Sequence, residues 1–504
     1  MPSSIGNEWI QREGQRFARL LDAAGVGRDA VVALLLPNIP EFLACYRGIG
    51  WSGRTAVPLN HNLPADDAAY VLRNSGAQAL VAHPHYGDTA LQLAPLVDPR
   101  WRFAAGAGMA GFRHLDEMAA YSDAPLDAPR AGHLMLYTSG TTGQPKGVVI
   151  EGAGEPLAAP PGLVSRRSME MLRLFLHGEV PGTHLVAGPL YHAGPLSYCE
   201  GATLLGAPVA ILERWDAEEF LRAVEELRVH STFLVPTHFV RLLKLPDETR
   251  RRYDLSSLKL VFHGAAPVAP EIKRRMIEWL GPVLYEFYGG SEGMGSTAIA
   301  SADWLAHPGS VGRATPGCAV HILDDAGRPC PPGVEGTVYF RNERQRFAYR
   351  GDPQKTAAAH RGELSTLGDM GYLDVDGYLF LCDRRADLVI SGGVNVYPAQ
   401  IEAVLLEHAQ VLDCCVVGLP DPEWGERLLA LVVPRGGVPA DSQSVEDVLR
   451  AHVRERLARY QQPREYAFVD SVPRTEAGKL LRRQVREQWR RHFSRNHSQE
   501  SGKR

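Results

Sequence analysis

Residues 31–37 read Val31-Val-Ala-Leu-Leu-Leu-Pro37, an unbroken apolar run closed by proline. A strand with one wet face alternates apolar and polar side chains. A run apolar at every position fits a strand covered on both faces, as in a parallel sheet between helices. Residues 14–26 (GQRFARLLDAAGV) and 39–50 (IPEFLACYRGIG) read as helices on either side of it. The pattern returns at the strand 79–82, then at the helix 217–227 with the strand 231–235. The strand 258–263, the helix 271–280 and the strand 282–287 repeat it again. Apolar strands alternating with helices predict an α/β body of mostly parallel sheets, whose ligands sit at the carboxyl ends of the strands.

Farther along, the texture changes. Asp324-Asp-Ala-Gly327 and Asp374-Val-Asp-Gly377 read as hairpin turns, so a β-rich subdomain is expected there. A smaller α+β unit follows: strand 388–390, helix 399–408, strands 411–418 and 428–433, a helix 444–459 opened by the capping pattern Ser-Val-Glu-Asp, strand 465–469, a polar loop and a basic helix. The expected organisation is a large N-terminal domain over 1–384, a C-terminal domain over 385–490 and a disordered tail over 491–504.

Composition narrows the function. The 504 residues are 45% hydrophobic and 22% charged with a net charge of -4, which fits a soluble globular protein and gives no footprint for nucleic acid. Lysine supplies only seven of the 54 basic residues, so a lysine inside a motif stands out. The seven cysteines show no metal-ligand spacing, and an odd number in a long chain argues for a reducing compartment. The start, MPSSIGNEWIQREG, lacks the apolar core of a signal peptide, and no run approaches the roughly 20 residues that span a bilayer. A cytoplasmic location is expected, with peripheral membrane contact left open.

The sharpest chemical signal is Tyr137-Thr-Ser-Gly-Thr-Thr-Gly-Gln-Pro-Lys146-Gly147. Thr138, Ser139, Thr141 and Thr142 offer hydroxyls, Gly140 and Gly143 let backbone N–H groups turn inward, and Lys146 adds a cation; together they suit a polyphosphate. The apolar residues on both sides place the stretch between two strands. It is not a Walker loop, since Lys146 follows proline and no Ser or Thr comes after it. Composition alone fits a functionless Ser/Thr/Gly loop equally well.

This stretch resembles the phosphate-binding signature of the adenylate-forming superfamily, which includes acyl-CoA synthetases, peptide-synthetase adenylation domains and firefly-type luciferases. Further motifs follow in family order across residues 15–485. Pro189-Leu-Tyr-His-Ala-Gly194 resembles the motif whose histidine, here His192, lines the acyl pocket. His263-Gly264-Ala265-Ala266-Pro267 resembles the segment that lies against adenine. Tyr288-Gly289-Gly-Ser291-Glu292-Gly293 resembles the motif whose tyrosine stacks on adenine, whose hydroxyl residue meets the α-phosphate and whose glutamate holds Mg²⁺, with Thr138 also counted toward the metal; serine stands at 291 where the family prefers threonine. Asp369 in Leu367-Gly-Asp369 and Arg384 in Asp383-Arg384 match the ribose-binding pair. Ser391-Gly392-Gly393 opens a segment, through Pro398, like that lining the pantetheine tunnel of CoA ligases. Lys479 in Pro473-Arg-Thr-Glu-Ala-Gly-Lys479 matches the lysine that meets carboxylate and α-phosphate, whereas Arg482 and Arg483 read as helix-surface charge. Ala386 stands where the family's hinge residue is Asp or Lys.

The resemblance implies a mobile C-terminal domain and an ATP-dependent acyl-CoA ligase. It would use ATP, Mg²⁺ and coenzyme A, with Lys479, Glu292, His192 and Thr138 as catalytic residues. Alternatives are an acyl-AMP ligase that loads an acyl carrier protein, or a catalytically dead binding relative. Peptide-synthetase adenylation domains carry an acid near His192 to hold an amino group. None stands in residues 189–198, with Glu200 just beyond, so a plain carboxylic acid is expected. Gly194 and Gly201 are expected to leave room in the acyl pocket, and the wording around 263 and 288 resembles ligases of fatty and steroid-side-chain acids.

Overall fold

The computed structural model describes residues 4–138, 145–150, 163–176, 179, 181–342, 347–384, 387–391, 394–421, 424–438, 441–475, 478 and 480–501. Val31–Leu35 is a central strand of a six-stranded parallel sheet ordered Arg113–His114, Arg102–Ala104, Ala77–Ala82, Val31–Leu35, Thr55–Pro58 and His133–Leu134. Its side chains feed two cores. Val32 and Leu34 pack with the helices Asn7–Ala23 and Pro40–Trp51, while Ala33 and Leu35 pack on the other face with Val71 and Leu72 of the helix Ala65–Ser75. This is the two-sided burial that the uniform apolar run requires.

A second, 14-stranded sheet begins as a parallel array of Val209–Ile211, His184–Val186, Ser231–Leu234, Leu260–His263 and Leu284–Gly289. At Leu284–Gly289 the direction changes: its other neighbour, Ser296–Ala300, is antiparallel. The sheet then continues antiparallel through Ser310–Ala314, Leu379–Arg384, Asp369–Leu373 and Gly336–Asn342. Both expected turns form, with Gly327 N–H donating to Asp324 O at 2.9 Å and Gly377 N–H to Asp374 O at 3.1 Å. The edge opposite the antiparallel half is closed by Ser4–Ile5 beside Val209–Ile211.

Polar side chains tie the two sheets together. Arg47, 1% exposed, reaches from the helix Pro40–Trp51 to the helix Ala193–Leu204, with its Nε 2.8 Å from Glu200 and its Nη2 2.7 Å from Thr203 Oγ1. A buried pair of this kind is costly to break on one side. Glu200 is therefore committed to Arg47.

The C-terminal region has its own five-stranded sheet, built on the long antiparallel pair Val411–Asp421 and Gly425–Pro434. Cys414 and Cys415 point to opposite faces and are buried in separate cores with no disulfide; burial raises both thiols above their ordinary range. Two local expectations need correction. The helix expected at 444–459 is Ser442–Arg456, capped by Asp441, whose carboxylate accepts from Ser444 N–H, so the Ser-Val-Glu-Asp stretch lies inside it. The basic helix runs Arg482–Ser501, through most of the expected tail, because its Arg, Gln and Glu residues are good helix formers.

Candidate active site

The phosphate-loop signature sits between two strands, as its flanks predict. Leu136–Thr138 and Lys146–Ile150 pair antiparallel with Thr138 opposite Lys146, so the loop leaves from one residue and returns beside it. Ser139, Gly140, Thr141, Thr142 and Gly143 lie outside the described residues. A third strand, Phe347–Tyr349, pairs with Lys146–Ile150 on its other side. Its Tyr349 ring lies 5.3 Å from Lys146 Nζ, and its hydroxyl donates to Glu292 Oε1 at 3.0 Å. Lys146 and Glu292, far apart in sequence, thus contact the same side chain. Tyr349 belongs to none of the motifs read from the sequence, and no local pattern marks it.

Glu292 is buried, in the turn after Leu284–Gly289. A Cβ at residue 290 would lie 2.5 Å from Leu367 Cδ1 and 2.6 Å from Glu292 Oε2, so glycine there leaves both side chains their room. On the strand itself, the Tyr288 hydroxyl donates to Asp369 Oδ2 at 2.6 Å. Asp369 in turn pairs across the ladder with Arg384. Tyr288, Asp369 and the backbone of Arg384 therefore meet at one end of the large sheet, with Gly289 ending the strand and Ser291 in the turn after it.

Leu260–His263 delivers the neighbouring segment. Gly264 lies flat against Phe287, whose carbonyl oxygen would be 2.4 Å from a Cβ at 264, and Ala265 takes the left-handed region at φ +70°. For a residue with a Cβ that conformation is strained, by about 1–2 kcal/mol. Ala266 follows, partly buried. Behind this turn is a buried polar pair, Lys273 Nζ to Glu286 Oε2 at 2.5 Å, with His263 fully buried nearby. Burial pushes Lys273 down and Glu286 up against their mutual attraction, and burial together with Lys273 holds His263 well below the usual imidazole range.

His192 is the N-cap of the helix Ala193–Leu204. Buried Asn38 holds the loop before it: its amide donates to Gly188 O at 3.0 Å and Leu212 O at 3.2 Å, and its oxygen accepts from Leu190 N–H at 2.9 Å. The room expected at Gly194 is filled, since a Cβ there would meet Phe233 Cζ at 2.6 Å. Phe233 and Phe262, register partners on neighbouring strands, both stack with Tyr198, at ring centroids of 5.4 and 4.2 Å, and all three are buried.

In the C-terminal region Ser391 is buried at the end of Val389–Ser391 and pairs with Gly425 and Val394. Gly392, Gly393, Ala386 and Lys479 lie outside the described residues, as does the side chain of Arg384. Gly478, the neighbour of Lys479, rests on Thr237 at the start of the helix Pro236–Lys244. Arg482 departs from its reading as surface charge. It is 11% exposed, bonds Glu402, and lies 3.3 Å from Asp387; Arg483 is at the surface beside Glu487.

Residues 10–346 match the AMP-binding enzyme family, and residues 400–479 match the AMP-binding enzyme C-terminal domain. The chain belongs to the AMP-binding enzyme family. Its relatives extend the match along nearly the whole sequence. A feruloyl-CoA synthase from an Amycolatopsis species is 33% identical over 484 residues, spanning 95% of this chain and 92% of that protein. The fatty acid–[acyl-carrier-protein] ligase ScoC from Streptomyces coeruleorubidus is 31% identical, spanning 96% and 91%. Among solved structures, the amide bond synthetase McbA from Marinactinospora thermotolerans superposes with a TM-score of 0.80 at 30% identity, covering 95% of this chain and 93% of that one. The chain is an enzyme of the AMP-forming ligase class. No helix among the described residues is long and apolar enough to cross a membrane.

Proposed function

We propose that this member of the family joins a carboxylic acid to coenzyme A in two steps. A carboxylate oxygen first attacks the α-phosphorus of ATP, expelling pyrophosphate and forming an acyl-adenylate. The thiol of coenzyme A then attacks the acyl carbon, and AMP leaves with the bonding electrons. The observation that carries this reading is the gathering of Tyr288, Asp369, Glu292, Tyr349 and Lys146 by two hydrogen bonds and one cation–ring contact.

Each residue then has a task. Tyr288 supports the adenine, with Gly264, Ala265 and Ala266 beneath it and Gly289 beside it. Asp369 accepts from the ribose hydroxyls, with Arg384 opposite it on the ladder. Thr138, Ser139, Gly140, Thr141, Thr142, Gly143 and Lys146 hold the phosphates, and Ser291 faces the α-phosphate. His192 lines the acyl side. Lys479 neutralises the carboxylate and phosphate oxygens during attack, and Ser391, Gly392 and Gly393 line the thiol's path.

The residues fit a magnesium ion. Glu292 offers a hard carboxylate whose second oxygen occupies space kept open by Gly290, and Thr138 adds a hydroxyl; magnesium commonly takes one or two such protein oxygens beside phosphate and water. When bound, it would supply charge that offsets the phosphates. The chain's own contribution is orientation and electrostatic stabilisation of two anions brought together.

The packed ring cluster of Tyr198, Phe233 and Phe262 favours a compact or aromatic acid over a long acyl chain or a steroid side chain. A carboxylate panel of ferulate, indoleacetate, octanoate and palmitate, read by ATP–pyrophosphate exchange, tests this. Palmitate as the best substrate overturns the compact-acid reading, and no exchange with any acid points to a catalytically dead relative. Offering coenzyme A, an acyl carrier protein and an amine to the preformed adenylate tests the acceptor. Preference for the carrier protein or the amine overturns the choice of coenzyme A.

A further inference from the structure

Tyr349 contacts both charged groups of the proposed phosphate and metal site. Its backbone is fixed: the N–H donates to Thr356 Oγ1 at 2.9 Å, and the Thr356 hydroxyl donates to Asp352 O at 2.9 Å. Its ring is held edge-on against Phe347 at 5.4 Å. Little freedom therefore remains in the side chain that bonds Glu292 Oε1 at 3.0 Å and lies 5.3 Å from Lys146 Nζ.

We infer that Tyr349 is a positioning residue that sets the Glu292 carboxylate for the cation and the Lys146 ammonium for the phosphates, so that metal and nucleotide bind as one unit. A phenol donating to a carboxylate restrains its rotation and leaves the other oxygen aimed elsewhere. A ring face attracts an ammonium without neutralising it, so Lys146 keeps its charge for phosphate. A rigid phenol that touches both also opposes collapse of the carboxylate and ammonium into a direct ion pair. This inference rests on the reading of Glu292 as the metal carboxylate.

The test separates the two contacts by calorimetric titration of ATP into the full-length enzyme without carboxylic acid, once with Mg²⁺ and once with EDTA. Tyr349→Phe removes the hydroxyl and keeps the ring; Tyr349→Leu removes both, and an unchanged melting temperature confirms the fold of each. The wild type gains ATP affinity from Mg²⁺. The expected result is that Tyr349→Phe loses about tenfold of that gain, in line with loss of one charge-assisted hydrogen bond, with EDTA-state affinity unchanged. Tyr349→Leu is expected to weaken ATP in EDTA as well. A full Mg²⁺ gain in Tyr349→Phe overturns the inference. Glu292→Gln distinguishes the failures: if it loses the gain while Tyr349→Phe keeps it, only the tyrosine's role falls. If Glu292→Gln also keeps the gain, the metal assignment falls and the inference with it.

Discussion

Gly478 of the C-terminal region seats against Thr237 of the N-terminal body, so closely that a Cβ at 478 would lie 2.7 Å from Thr237 Cγ2. Its φ is +77°, a region that residues with a Cβ rarely adopt. The contact brings the residue beside Lys479 to the start of the helix Pro236–Lys244. We take this contact to mark the arrangement of the two parts proposed for adenylation.

Gly478→Ala should therefore act on one half-reaction. ATP–pyrophosphate exchange is expected to fall about 5- to 30-fold, from a steric and backbone cost of about 1–2 kcal/mol. Thioester formation from supplied acyl-adenylate should stay within about twofold. Lys479→Ala should show the same split more strongly. Equal loss of both half-reactions in either variant rejects the assignment of two arrangements.

Phe233→Ala should widen the acyl side, because it removes the ring that fills the space beside Gly194 and stacks toward Tyr198. The expected change is a rise of about tenfold in kcat/KM for octanoate relative to ferulate, the scale that one or two methylenes carry in an apolar pocket. Unchanged selectivity would mean that the ring cluster lies off the acyl path.

Arg482 and Arg483 are adjacent but should behave differently on truncation. Arg482→Ala leaves Glu402 and Asp387 without their cation in a mostly buried setting, and a loss of about 3 kcal/mol is expected in the unfolding of the C-terminal region. Arg483→Ala removes an exposed helix pair and should cost about 0.5 kcal/mol or less. Urea melts followed by fluorescence would compare them, and equal effects would contradict the packing described for Arg482.

Buried histidines predict how stability depends on acid. Burial holds His184 and His238 at about 3, and His263 also lies well below the usual value. An unfolded chain takes up these protons near pH 6.5 while the folded chain refuses them, so stability is full above that pH and falls below it. Each group contributes about 1.4 kcal/mol per pH unit well inside the window. Urea midpoints should decline steadily from pH 6.5 toward 5. Asp98 and Asp254, held at about 2 chiefly by side-chain bonds to Arg100 and Ser256, enter only below about pH 4. A flat midpoint between pH 7 and 5 would count against neutral, buried histidines.

Much of the frame was readable because it is local. Uniform apolar runs marked Val31–Leu35 and Leu260–His263, and the apolar flanks of the Ser/Thr/Gly stretch placed it between two strands. Glycine and aspartate marked both hairpin turns. What escaped depends on partners distant in sequence. Arg482 looks like any helix arginine until Glu402 and Asp387 fold beside it. Tyr349 has no neighbouring signal, because its meaning comes from Glu292 and Lys146. Gly194 suggested empty space only because Phe233 is about 40 residues away.

The strand Leu284–Gly289, parallel to one neighbour and antiparallel to the other, divides labour across the sheet. Tyr288 and Glu292 hang from its end, with Asp369 on the antiparallel side. The rings Tyr198, Phe233 and Phe262 belong to the parallel side and its covering helices. On the proposed assignment of that ring cluster to the acyl side, substrate preference can change through the helix Ala193–Leu204, which carries Tyr198, while Tyr288, Glu292 and Asp369 keep their geometry. Recombining the helix Ala193–Leu204 alone from relatives would offer a route to new acids that leaves the proposed nucleotide residues at 138–146, 264–266 and 288–292 in place.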